Sequence, residues 1–530
     1  MASNTLLYID KNMKNLNILL AGLGLIALSS CNDFLDKLPD DRAEVNTFEK
    51  AKKLVASAYA EGSPAFLMEW SSDNVMDNGK TFLYQTNQSE VYRWKPVTTT
   101  ENDDPRSVWN NSYLAVGHAN EVLASLSKVK DRDPSPVRAE ALLCRAWTMF
   151  RLSNIFCMAY DGTKADQYLG LPYPKEPGVS VNERGTLKQL YENINADIEE
   201  ALPLLDDSYL TAPKYHFNSR AAYAFAARFN LYYGQWQKAI DYATKSLGST
   251  PSADLRNWAH YKTLSGSIDI HNAYISSSEK ANYMLQTAYS SLGRLISSGA
   301  LRFNFAQLLV EKELFWAPMP WGRGSQNNTL YQSRMLYGNT QLTFFPKIMS
   351  EIQYTNAAKT TGYVHSLDAV LTADETLLVR AEAEILLKNY TAALADMNAW
   401  VVSHTEETVG SATRPTLTEA SINSFFNGLS TVPAKVMMDA QMGVKKPLHP
   451  QGFSVEDGTQ TNMLYALLQM RRIETWQQGL RFQDIKRYGI EITHRIDGED
   501  PIYFVAGDLR GAIQLPSDVI NSGLQANPRN

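Results

Sequence analysis

Two stretches of this chain set aromatic rings among planar polar side chains, in segments that glycine and polar residues mark as loops. In "PWGRGSQNN", residues 320–328, Trp321 stands beside Arg323, Gln326 and Asn327. In the stretch before Trp109, Asp73 and Asn74 precede Tyr84, Tyr92 and Trp94. An exposed ring stacks on flat apolar faces, while amides, carboxylates and a guanidinium make directional hydrogen bonds to hydroxyls around such a face. Tyr289 belongs to the same chemistry, as one of the many Tyr and Trp residues between 249 and 373. The expected ligand contacts are therefore Trp321, Arg323, Gln326, Asn327, Asp73, Asn74, Trp94 and Tyr289. For Trp321 the competing reading is a core anchor, because large aromatics are mostly buried. Trp109 and Trp236 lie on amphipathic helix faces and read as packing residues.

Other chemistry is missing from the pattern. H-E-x-x-H, G-x-S-x-G, G-x-x-x-x-G-K-[ST] and a dinucleotide glycine fingerprint do not occur beyond the N-terminal apolar segment that holds Gly22 and Gly24, so no catalytic residue is assigned. The 8 histidines are scattered without metal-ligand spacing, and no metal ligand is assigned. "DNVMDNG", residues 73–79, has the wrong ligand alternation for a calcium loop and reads as a turn. No cofactor is expected, with calcium alone left open. A formal charge of −6 and no long Lys/Arg run argue against a nucleic-acid partner.

The N-terminal segment suggests processing. Lys11 and Lys14 precede an apolar run of about 13 residues, Leu16 to Leu28, too short to span a bilayer as a helix. Residues 1–30 read as a signal peptide, with Met13 as an alternative start. Leu28-Ser29-Ser30-Cys31 resembles a bacterial lipobox, which implies cleavage before Cys31 and acylation of its thiol. Two or three acyl chains suffice for stable outer-membrane anchoring. The acidic residues Asp33, Asp36, Asp40 and Asp41 resemble a surface-export signal, and 31–46 reads as a tether. Cys144 and Cys157 lie in what reads as one helix, about 20 Å apart, too far for a disulfide.

The elements that must position the loops are helical. Trp109, Tyr113, Val116, Asn120 and Leu123 share a face, as do Leu143, Ala146, Phe150 and Asn154 beyond Pro136. "GQWQKAIDYA" from Gly234 resembles half a tetratricopeptide repeat, and "NYTAALADM" from Asn389 matches it, with Tyr390, Ala393, Leu394 and Met397 for Trp236, Ala239, Ile240 and Ala243. The expected fold is mostly α. Helix pairs over about 105–247, 374–402 and 463–488 form a scaffold, with a loop-rich ligand module at about 249–373 and a loop at 68–105. Residues 47–530 make one body.

The blocks of the chain, in order, resemble the SusD/RagB family of outer-membrane nutrient-binding lipoproteins. The strongest is "RRIETWQQGLRFQDIKRYG", Arg471 to Gly489, in which Arg471, Arg472, Glu474, Gly479, Arg481, Asp484, Arg487 and Gly489 match the family pattern, while Met470 and Gln478 depart from it. "WNNSYLAVGHANEVL", "AEALLCRAWTMFRLSNIF", "GLPYP", "SRAAYAFAARFNLYYGQW", "LLVRAEAEILL" and "QLP" follow family order. Arg481, Asp484 and Arg487, at i, i+3 and i+6, read as structural ion pairs. The resemblance implies a non-enzymatic surface lipoprotein that captures oligosaccharide and delivers it to a SusC-like TonB-dependent transporter. A peptide-binding RagB-type role and a surface glycosidase are the alternatives.

Overall fold

A computed structural model describes residues 44–178, 183–323, 329–338 and 342–529. Cys31, Gln326 and Asn327 lie outside the described residues, as does the side chain of Arg323. The compact body is Thr47–Asn530. Among the described residues no helix is long and apolar enough to cross a membrane.

The scaffold is a run of packed helices. α1 (Phe48–Val55) and α2 (Ala65–Trp70) lead into α3 (Pro105–Ser125), α4 (Ser135–Phe156) and α5 (Leu187–Ala201), with α4 packed between α3 and α5. Proline in the first turn starts α3 and α4, where its missing N–H has no intrahelical partner to lose. Thr186 starts α5 with a reciprocal cap: its hydroxyl accepts from the Gln189 N–H at 3.2 Å, and the Gln189 amide oxygen accepts from the Thr186 N–H at 3.0 Å. Cys144 lies within α4 and Cys157 just past its end, both buried and free.

α6 (Ser219–Tyr232) and α7 (Trp236–Leu247) form the first repeat-like pair, and α8 (Ala373–Leu386) and α9 (Tyr390–His404) the second. Gly234 turns α6 into α7 at φ +79°, a left-handed conformation that side chains other than glycine resist. Ala239 and Ala243, and in the second pair Ala393 and Met397, are fully buried, so the small residues of the motif sit where helices meet. α7 packs on α8, joining the pairs in one array. The family block at the C-terminus forms two helices, α11 (Thr459–Glu474) and α12 (Arg481–Tyr488), after α10 (Glu419–Asn427). The expected helical region 463–488 is divided between them by a turn with Gln477 at φ +71° and Gly479 at φ +81°, because a helix cannot carry left-handed residues.

Buried ion pairs tie these helices together. Glu382 on α8 meets Arg471 on α11 at 3.2 Å and Arg487 on α12 at 2.7 Å, and accepts the Tyr488 hydroxyl at 2.8 Å. Asp484 meets Arg471 at 3.1 Å and, one turn along α12, Arg487 at 3.4 Å. These pairs link helices far apart in sequence.

Within 249–373 the chain forms a three-stranded antiparallel sheet of β1 (Asn282–Ala288), β2 (Glu351–Tyr354) and β3 (Gly362–Thr372), ordered β1-β3-β2. Gln286 pairs with Asp368, Ala288 with Ser366, Glu351 with His365 and Gln353 with Tyr363. Strand alternation then sets two faces. Gln286, Ser366 and Asp368 are buried against α4, where the Gln286 amide oxygen accepts from the Trp147 indole at 3.1 Å and from Arg151 at 3.2 Å. Thr287, Tyr363 and Gln353, on the other face, are exposed.

Candidate functional site

The loop residues expected to hold ligand divide sharply. Asp73 and Asn74 are buried beneath the C-terminal block. Asp73 receives Arg481 at 2.8 Å and Lys446 at 2.7 Å, and its backbone carbonyl accepts from Arg472 at 2.6 Å. The Asn74 amide bridges Glu69 at 2.9 Å and Arg472 at 2.8 Å. Trp94 is 5% exposed, stacked on the His494 ring with centroids 4.3 Å apart, and donates its indole N–H to the Ser71 carbonyl at 2.9 Å. Trp321 is 1% exposed and meets Trp400 edge to face at 5.5 Å. None of these rings presents a free face to a ligand, and the polar groups are already paired. Arg323 contributes backbone to a two-residue strand pairing with Pro318.

Tyr289 has a different setting. It is half-exposed immediately beyond β1, and its ring lies 5.9 Å from that of Tyr363, at 70°. Tyr363 is 59% exposed. The strand register puts Gln353 directly opposite Tyr363 and Glu351 directly opposite His365 on the same sheet face. Glu351 reaches His365 at 3.7 Å and His271 at 3.9 Å. Glu61 completes the edge: its carbonyl accepts the Tyr289 N–H at 2.8 Å. Its carboxylate, pushed up by partial burial and pulled back by His118, in turn raises the Tyr289 phenol. The result is two aromatic rings ringed by an amide, two carboxylates and an imidazole. That arrangement stacks and hydrogen-bonds a polyhydroxylated ring.

Asp103 fixes this corner from below. It accepts from the Ser290 hydroxyl at 2.6 Å and the Ser291 N–H at 2.7 Å, clamping the residues that follow Tyr289. Burial pushes its carboxyl up to about 7, against those hydrogen bonds. Because the folded state then binds the proton more tightly than the unfolded chain, the stabilisation is complete below about pH 4 and is lost as pH rises through 7. Asp103→Asn is expected to reduce that decline and to raise stability at pH 8 by about 1–2 kcal/mol. Urea midpoints measured from pH 4 to 8 check this; an unchanged pH slope contradicts it.

Asp374, His404 and Glu474 form a buried trio whose ligand atoms lie within 4.8 Å of one another. It is a poor metal site. The Trp258 indole donates to His404 Nε2 at 2.7 Å, the Trp400 indole reaches Glu474 at 3.2 Å, and Lys347 donates to the Glu474 carbonyl. The charges of Lys347 and Arg256 act on Glu474, and Arg256 also acts on Asp374, so two cations already balance the two acids. An added metal ion would face both.

Tyr363, Gln353 and Glu351 escaped sequence reading. In "TTGYVHSLDAVLT" Tyr363 alternates with ordinary strand residues, and nothing local marks which face meets water.

The fold is that of solved SusD superfamily structures, and part of the sequence matches a SusD-like family model. Residues 33–231 match the SusD-like family model described as "Starch-binding associating with outer membrane", and the whole body has the SusD superfamily fold. A SusD superfamily protein from Bacteroides thetaiotaomicron superposes with a TM-score of 0.61 at 18% identity, over 91% of this chain and 100% of that one. One from Bacteroides vulgatus gives 0.62 at 17%, over 91% and 99%. A laminarin-binding SusD-like protein gives 0.53 at 17%, over 91% and 98%. No curated protein matches the chain in sequence.

Proposed function

We propose that this protein is a cell-surface, lipid-anchored glycan-binding protein that captures oligosaccharide and delivers it to a SusC-like TonB-dependent outer-membrane transporter, and that it is not an enzyme. The observation that carries the binding role is the Tyr289–Tyr363 pair on an exposed sheet face with Gln353, Glu351 and Glu61 around it. The SusD-like fold and the laminarin-binding structural relative support a carbohydrate as the ligand. The transporter, the anchor at Cys31 and the surface location rest on the family resemblance and on the lipobox-like tetrad.

Affinity electrophoresis through laminarin, xylan, inulin, pectin and starch tests the binding role. The double variant Tyr289→Ala/Tyr363→Ala is expected to lose about 10- to 100-fold in affinity for the glycan retained by the native protein, with melting unchanged, since Tyr363 is exposed and Tyr289 half-exposed. Undiminished retention sinks the site. Cys31→Ala is expected to abolish palmitate labelling and to release the protein from the outer-membrane fraction; continued labelling contradicts the anchor.

One observation favours peptide as a second ligand class. β2 is one edge of the sheet and every one of its residues is exposed, leaving backbone groups on its outer side to pair with an extended chain. Binding of casein-derived peptides with no glycan retention selects this reading.

A further inference from the structure

A second aromatic hollow, of about 280 Å³, opens at the turn between α6 and α7 and shares no residue with the sheet face. Trp236, expected from its helix face to be a packing residue, is half-buried and lines it. Trp109, read the same way, is 8% exposed and does pack in the core. The difference lies in the neighbours. Gly162, Gly234 and Gly452 line the hollow; a Cβ built on Gly234 meets nothing within 4 Å, so the hollow is open there, while one on Gly452 would meet the Asp161 Cα at 2.7 Å.

Four half-exposed rings contribute. Trp236 and Phe453 meet at 5.9 Å and 80°, and Tyr160 and Tyr233 at 4.9 Å and 79°. The buried Tyr191 backs Tyr160 at 4.6 Å and 31° and Tyr233 at 5.5 Å and 49°, so the stacking surface rests first on Trp236, whose one ring contact among the described residues is the T-shaped one with Phe453. Polar groups surround them. Gln235 is exposed and its side chain caps no backbone group of α7, leaving its amide free for a ligand. The Gln451 amide is oriented by donating to the His449 carbonyl at 2.6 Å, and Arg487 forms part of the lining, held by Glu382 at 2.7 Å. Burial holds the Tyr160 phenol up at about 12, and its hydrogen bond to Tyr233 adds to it. Glu192, exposed, is close enough to raise both phenols.

Faces for stacking and amides and phenols for hydroxyls are the components of saccharide recognition. The volume sits near the roughly 300 Å³ at which small-molecule sites begin, which suits one or two sugar rings and not a long chain. We propose that the hollow around Trp236, Tyr160, Tyr233 and Phe453 is a second saccharide-binding site, taking one or two sugar residues independently of the sheet face. A ligand held at both places would be gripped at two points, raising its effective local concentration at each.

Saturation-transfer NMR on the full body tests this, with methyl glycosides of glucose, galactose, mannose, xylose, arabinose and fucose as probes. At least one probe is expected to bind the Tyr289→Ala/Tyr363→Ala variant, and to lose about tenfold in affinity with Trp236→Ala and about threefold with Gln235→Ala. Gln235→Ala removes an exposed amide that caps nothing, so it reports on binding even where Trp236→Ala impairs folding. Loss of all probe binding in the sheet-face variant, or binding indifferent to both Trp236→Ala and Gln235→Ala, overturns the second site and leaves the sheet-face reading intact. Binding abolished only by the Trp236 and Gln235 variants supports the second site and counts against the sheet face. Absence of binding by every probe overturns it as well.

Discussion

Asp73→Ala is expected to destabilise the protein by about 3–5 kcal/mol while leaving glycan affinity of the folded fraction unchanged. Asp73 is 6% exposed and faces Arg481, Lys446 and Arg472, three cations themselves buried. Glu313 shares two of them, meeting Lys446 at 2.7 Å and Arg472 at 3.1 Å. Removing one of two acids from such a group leaves positive charge uncompensated in a low-dielectric interior, which costs more than the pair contributes over an apolar replacement. Burial pushes the Asp73 carboxyl up, but the three cations outweigh it and hold the group well below the usual carboxylate range. Its contribution is therefore full above about pH 4 and lost as pH falls through the lowered folded value. Urea unfolding at pH 7 and pH 3 measures both effects. A stability loss below 1 kcal/mol, or a selective loss of glycan binding, would return Asp73 to the ligand site.

Trp321→Ala is expected to cost about 3–5 kcal/mol for the same kind of reason, expressed in packing and not charge. The indole is fully enclosed, set edge-on to Trp400, and its carbonyl accepts the Thr329 hydroxyl at 2.7 Å. Truncation opens a cavity next to the Trp258, Trp400 and His404 cluster, where His404 stacks on Trp400 at 4.0 Å. Neighbouring side chains already interlocked cannot collapse into it cheaply. Thermal unfolding measures the loss, and affinity electrophoresis of the folded protein should show unaltered glycan retention. A variant that melts normally and fails to bind glycan would falsify the core assignment.

The helical scaffold was legible because its cause is local. Apolar residues at intervals of three and four, proline in a first turn, Thr186 with Gln189 at a cap and Gly234 at a turn all act within a few positions along the chain. The C-terminal block was legible as structure too, since Arg481, Asp484 and Arg487 have the spacing of ion pairs; Asp484 does meet Arg487, whereas Arg481 turns to Asp73 and the shorter contact of Arg487 is to Glu382, 105 residues earlier. Exposure of the aromatics was a different matter. Trp321 sits just before Gly322, Gly324 and polar residues yet is enclosed, and Trp236 sits on a repeat-like helix face yet lines an open hollow. Local composition reports the backbone a residue favours, not what the rest of the fold lays over it.

The sequence by itself therefore determined the class of fold and the repeat-like helix pairs. Only the tertiary structure decided which rings face water. The register of β3 against β1 and β2 brings Tyr289 to one surface with Gln353 and Tyr363, which lie 64 and 74 residues further along the chain, and the pairing of Asp73 with Arg472, Arg481 and Lys446 withdraws it from another. Burial is a sum over contacts between distant parts of the chain, and no window of sequence contains that sum.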